Sequence, residues 1–90
     1  TNLNVLDCKQ NSITSLNVDN NILLTYLDFR WNEIGSIDVT NNTALTRLEC
    51  NGNPIGTLDV SKNTALEILG AEDNGLTQID VSNNTAIYLS

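Results

Sequence analysis

Residues 45–65 read LTRLECNGNPIGTLDVSKNTA, and the 21 residues before them, 24–44, read LTYLDFRWNEIGSIDVTNNTA. Laid over one another, the two stretches pair Leu45 with Leu24, Leu48 with Leu27, Asn53 with Asn32, Ile55 with Ile34, Val60 with Val39 and Asn63 with Asn42. The spacing continues outward in both directions. Leu6, Leu27, Leu48 and Leu69 form one column, and Asn11, Asn32, Asn53 and Asn74 a second. Ile13, Ile34, Ile55 and Leu76 follow, then Leu16, Ile37, Leu58 and Ile79, then Val18, Val39, Val60 and Val81. Asn21, Asn42, Asn63 and Asn84 close each unit, and Leu3, Leu24, Leu45, Leu66 and Ile87 open it. No insertion interrupts the register, and a fixed period of this length is the mark of a stacked-repeat architecture.

One unit contains a single stretch, Leu24-x-x-Leu27-x-Phe29 and its counterparts, in which apolar and polar residues alternate as they do in a half-buried strand. The remainder has no 3.6-residue periodicity and is rich in Asn, Asp, Ser, Thr and Gly, so turns are expected there. A strand plus turns cannot bury its own apolar face. Stacked in register, the units can, and their strands then join into a parallel sheet at ~4.8 Å per rung. The chain of 90 residues is read as one domain, 1–90, with repeats at 1–21, 22–42, 43–63 and 64–84 and the start of a fifth at 85–90.

Composition agrees with thin layers. There is one Trp, two Tyr, one Phe and no Met, so the interior must be Leu, Ile and Val. Eleven acids against four bases give a net charge of -7, which argues against binding a nucleic-acid backbone. No apolar run reaches the ~18–20 residues of a membrane span. The asparagine row Asn11, Asn32, Asn53, Asn74 falls where the chain leaves the strand and turns sharply. A buried backbone group without a partner costs ~1–3 kcal/mol, and an Asn amide offers both donors and an acceptor. The row is therefore expected to be structural, with Asn53→Ala costly and Asn51→Ala near neutral.

The repeated Leu-x-x-Leu-x-(Leu/Cys/Phe)-x-x-Asn-x-Ile spacing resembles the leucine-rich-repeat signature over nearly the whole chain. With Asp59-Val60-Ser61-x-Asn63-Thr64-Ala65 in its second half and Cys8 and Cys50 at strand positions, the unit is similar to bacterial surface repeats. These are the cysteine-bearing internalin-like proteins and related repeats in secreted proteins of Bacteroidota. The resemblance implies a right-handed curved solenoid with a parallel sheet on its concave side and little or no α-helix. It also implies an extracellular or cell-surface bacterial protein. Family members carry caps at both ends, whereas this chain opens directly in a repeat. A piece of a longer protein is the favoured reading, and ends that pack against a neighbour the other; Leu3 and the Leu69 rung are expected to face water where nothing covers them. The uneven column Cys8, Phe29, Cys50, Ala71 is expected to shift the layers slightly.

Cys8 and Cys50 lie two rungs apart, ~9–10 Å by strand spacing, beyond the reach of a disulfide. They are read as free thiols packing as small apolar residues. With no His in the chain, neither a metal centre nor any cofactor is expected. The acidic column Asp38, Asp59, Asp80 precedes Thr40, Ser61 and Ser82, which suggests local side-chain-to-backbone turns, with calcium bridging as the minor alternative.

If Leu27 and Phe29 point inward, the residues between and beside them point outward. The framework columns barely change, whereas the outward ones, Val5/Tyr26/Arg47/Ile68, Asp7/Asp28/Glu49/Gly70, Lys9/Arg30/Asn51/Glu72 and Gln10/Trp31/Gly52/Asp73, differ in every unit. Tyr, Trp and Arg also dominate binding hot spots. Tyr26, Asp28, Arg30, Trp31, Arg47, Glu49 and Ile68 are therefore the candidate partner-binding residues. Asp28 and Glu49, one rung apart, approach the carboxylate spacing of a retaining glycosidase. A shallow face has no pocket to raise either pKa, and Arg30 and Arg47 would hold both ionised, so no enzymatic activity is expected. The reading is a non-catalytic module recognising a protein or a glycan. The alternative is a structural spacer in a larger surface assembly, packed through its ends.

Overall fold

The computed structural model describes residues 3–75, 79–84 and 87–89. Its strands, β1 (Val5–Asp7), β2 (Tyr26–Asp28), β3 (Arg47–Glu49), β4 (Ile68–Gly70) and β5 (Tyr88–Leu89), form one parallel sheet in the order β1-β2-β3-β4-β5. Among the described residues the rest of each coil is turn and extended chain, without helix. Each strand is short because the chain must leave the sheet to complete a coil and return one rung further on.

Register follows the 21-residue period through β4: Leu6 pairs with Leu27, Leu27 with Leu48 and Leu48 with Leu69. The uneven Cys8/Phe29/Cys50/Ala71 column leaves this register unbroken. The departure comes at β5, where Ile68 pairs with Tyr88 and Leu69 with Leu89, a step of 20. A strict period would set Ser90 opposite Leu69, whereas slipping by one sets Leu89 there.

The core is the row of columns anticipated above. Leu24, Leu27, Phe29, Ile34, Val39, Leu45, Leu48, Cys50, Leu66 and Leu69 are buried in one cluster, with Val18, Ile55 and Val60. Leu69, expected to face water, is fully covered, because the chain continues into β5 beside it. Leu3 is exposed at the other end, where Leu6, Cys8, Ile13 and Leu16 are half-buried.

Two columns of asparagine run along the stack. At the strand exit, the Asn53 Nδ2 donates to the carbonyls of Phe29 (2.9 Å), Cys50 (3.2 Å) and Asn51 (3.3 Å), and its Oδ1 accepts from the Ile34 N–H at 3.2 Å. Asn32 repeats this one coil earlier, donating to Cys8 and Phe29 and accepting from Ile13. Asn74 is buried with its Nδ2 3.6 Å from the Cys50 sulfur, and Asn11, exposed on the first coil, reaches its own turn at the Cys8 carbonyl. At the far turn stand Asn42, Asn63 and Asn84, buried as deeply. The Asn63 Nδ2 donates to the Val39 carbonyl at 3.0 Å and the Asn42 carbonyl at 2.9 Å, and Asn42 and Asn84 do the same.

Between the two columns, Asp38 Oδ1 accepts from the Thr40 N–H (2.9 Å) and hydroxyl (2.6 Å), and Asp59 does so from Ser61. Asp80 accepts from the Ser82 N–H, and Asn17 does this for Asp19 in the first coil. These bonds hold the three carboxyls below their ordinary pKa, the local turn role expected of the acidic column.

Candidate binding face of the sheet

Alternation along each strand puts the middle leucine inside and its two flanking residues on the outer face. The first outward column is Val5, Tyr26, Arg47, Ile68 and, by the slipped register, Tyr88. Val5 is 51% exposed and Tyr88 68%, Arg47 is exposed, and Tyr26 and Ile68 are half-buried. The Arg47 guanidinium lies over the Tyr26 ring, 5.1 Å from its centroid. That contact joins two rungs and is of the cation–π kind.

The second outward column behaves differently from expectation. Asp28 is fully buried and Glu49 only 5% exposed, although both stand on the open side of the sheet. Asp28 disappears beneath its neighbours two residues away on the same face. The Tyr26 hydroxyl donates to its Oδ2 at 3.1 Å, and Arg30 forks onto both oxygens, Nε to Oδ1 at 3.0 Å and Nη2 to Oδ2 at 2.8 Å. Burial pushes the Asp28 carboxyl up, but these donors together outweigh it and hold the group below its usual value.

Glu49 is covered for a second reason. A Cβ added at Gly70 would come 2.1 Å from the Glu49 Oε1, so the carboxylate occupies the space that a side chain at Gly70 would fill. Arg47 completes the cover, its Nε and Nη2 reaching the Glu49 Oε2 at 2.9 and 2.7 Å. Asp28 and Glu49 are thus corrected from contact residues to buttresses that fix Arg30 and Arg47. An acid held ionised by a guanidinium fork is poorly suited to giving up a proton, so Asp28 offers no general acid.

Trp31 belongs to a different outward column from Tyr26 and Arg47. It lies five residues beyond Tyr26, up to ~16 Å along an extended chain. With Gln10, Gly52 and Asp73 it forms a column of positive φ, from 55° to 75°. In this column Gln10, Trp31 and Gly52 donate their backbone N–H to Arg30, Asn51 and Glu72, so the ladder continues through the bend. The indole lies against Gly52, where an added Cβ would come 2.1–2.6 Å from three ring atoms, and remains 51% exposed. Asn51, expected to be idle, is half-buried, and its Oδ1 accepts from the Glu72 N–H at 2.8 Å.

Sequence reasoning placed Val5 in this face without selecting it and missed Tyr88, whose position depends on the register slip. The cysteines are free. Cys8 is half-buried, and Cys50 is buried with its thiol donating to the Gly70 carbonyl at 3.0 Å; burial pushes that thiol up to about 12. Among the described residues no group of three or more His, Cys, Asp or Glu is placed to hold a metal ion, and no helix is long and apolar enough to cross a membrane.

No family model matches the chain, and no curated protein matches it. Among solved structures, it is similar to the functional domain of InlJ from Listeria monocytogenes, which is described as including a cysteine ladder. The two share 35% sequence identity at a TM-score of 0.82, over 98% of this chain and 24% of that one. This chain therefore spans about a quarter of the length of the chain it matches.

Proposed function

With this chain a stack of leucine-rich repeats of the internalin-like kind, we propose that it is a non-catalytic recognition module that docks a protein partner on the outward face of its sheet. The contact stripe is Val5, Tyr26, Arg47, Ile68 and Tyr88, one residue per rung. The observation that carries the reading is a contrast between the two outward columns. Asp28 and Glu49 are spent on holding arginines, while the neighbouring column presents aromatic, aliphatic and guanidinium groups to solvent. Arg47, fixed between Glu49 and the Tyr26 ring, is ordered before any partner arrives, which lowers the entropic cost of association. Aromatic and Arg side chains on rigid supports are typical anchors of protein interfaces.

The wider setting belongs to the same proposal: a secreted or surface-exposed bacterial protein of which these coils form one part. Cys8 and Cys50, stacked in one column with Phe29 between them and Ala71 beyond, are read as an interrupted cysteine ladder. A photo-crosslinking side chain at position 26 or 88 is expected to capture a partner that the same probe at position 41 does not. Val5→Ser and Tyr88→Ala together, at the exposed stripe positions, should preserve the unfolding midpoint and abolish capture from position 26. Capture from both positions alike would overturn the reading.

A further inference from the structure

Trp31 is the side chain on this surface that folding explains least. Its backbone sits at φ 60°, a region that favours Gly and strains a bulky residue. The equivalent position one coil later is Gly52, the residue best suited to that bend. Trp31 nevertheless fills no core space: one face of the indole lies on the Gly52 backbone and half of its surface is open to solvent. A strained aromatic that presents a flat, supported face to water is a feature of binding surfaces rather than of folding.

We infer that Trp31 is a stacking platform for a neutral sugar, receiving the C–H face of a pyranose ring on its outward side. Trp31 stands in a different outward column from the proposed protein stripe, and the inference does not rest on that proposal. The choice of ligand follows from three features. The platform is isolated among polar residues: the column beside it is Lys9, Arg30, Asn51 and Glu72, and the exposed apolar side chains of the face belong to the Tyr26 column. A protein interface would need a broader apolar centre than one ring supplies. A pyranose, with a small apolar face rimmed by hydroxyls, fits a single ring bordered by planar amides and guanidiniums.

Charge then separates neutral from anionic sugars. The chain carries a net charge of -7, and Lys9, Arg30 and Arg47 are each already paired with a carboxylate. Among the described residues no unpaired cationic cluster stands beside Trp31 for a sulfate or phosphate group. Asn51, whose backbone carbonyl accepts from the Trp31 N–H and whose Oδ1 is fixed by the Glu72 N–H, is assigned to a ring hydroxyl.

Trp31 is the single Trp of the chain, so its fluorescence reports this site alone. The protein is titrated with neutral hexasaccharides of α-linked glucose, of β-linked glucose and of N-acetylglucosamine, and with a sulfated heparin hexasaccharide. At least one neutral sugar is expected to shift the emission saturably, with a Kd of about 0.1–1 mM, and the heparin fragment to leave it unchanged. Saturation-transfer NMR on the sugar then follows the variants. Trp31→Gly, expected to fold at least as well as the parent, should lose binding by more than tenfold, while Trp31→Phe and Tyr26→Ala retain it. A flat titration with all three neutral sugars overturns the inference, as does undiminished binding to Trp31→Gly. Emission that responds instead to a protein captured at the stripe also overturns it, by assigning Trp31 to that interface; loss of capture at the stripe without loss of sugar binding overturns only the protein-docking proposal.

Discussion

Asn32 and Asn53, at the strand exit, use both ends of the side-chain amide, whereas Asn42, Asn63 and Asn84, at the far turn, use only the nitrogen. All five are buried to a similar degree. In the first column the Oδ1 accepts a backbone N–H from the preceding coil; in the second the Oδ1 atoms are buried without a hydrogen-bond partner. The cause lies in the two bends. At the far turn the backbone already closes on itself, with the Asn63 N–H donating to Val60 and the Leu66 N–H to Asn63. The Asn63 amide only adds a second donor to two carbonyls, Val39 and Asn42, that have backbone partners of their own. At the strand exit the chain passes through a positive-φ residue, and Asn53 alone supplies the bonds described for the Ile34 N–H and the Cys50 carbonyl. The same residue type in two equally regular columns is thus essential in one and reinforcing in the other.

Replacing each amide tests that distinction. Asn53→Ala leaves two buried backbone groups without these partners, at ~1–3 kcal/mol each, so a loss of about 4 kcal/mol is expected in guanidinium unfolding. Asn63→Asp comes next, at about 3 kcal/mol near neutral pH, because it sets a carboxylate against two carbonyls with no donor in reach. Its pKa is raised in the folded state, so this variant should regain stability as pH falls through that raised value. The parent chain moves the other way. The Asp28 pKa is depressed on folding, so its contribution is complete above the ordinary Asp value and is lost as pH falls below it toward the folded one. Asn63→Ala, which removes only reinforcing bonds, should lose about 1–2 kcal/mol. Equal midpoints for Asn53→Ala and Asn63→Ala would erase the difference between the columns.

The fold was legible because its evidence is periodic. Every core column and both asparagine columns can be counted off the chain, and that spacing carries the resemblance to leucine-rich repeats that the solved structure bears out. What each column does was less legible. Asn32 and Asn42 look alike in the sequence, and only the closure of their respective bends separates them. Burial of Asp28 and Glu49 was hidden for a related reason. Alternation says which face a side chain leaves from, but not whether Tyr26 and Arg30 fold over it or whether a missing side chain at Gly70 opens room beneath it. The one-residue slip at β5 was hidden because Ile87 keeps the period while Leu89, two residues later, does not.

Asn51→Ala provides the smallest and most discriminating test, because Asn51 belongs to neither column yet stands next to both Gly52 and the strand. Its Oδ1 accepts from the Glu72 N–H, but Glu72 is exposed and Asn51 half-buried, so water can take over the bond. The expected loss is about 0.5–1 kcal/mol, below that of either buried column. The bond here uses only the oxygen, so Asn51→Asp, which keeps an acceptor in place, should fall within about 0.5 kcal/mol of the parent. Asn53→Asp has the same change of atoms but loses the donors that Phe29, Cys50 and Asn51 carbonyls receive, and should be as poor as Asn53→Ala. If the two Asp variants unfold at the same midpoint, then donor count does not govern these asparagines, and the distinction between the bends loses its basis.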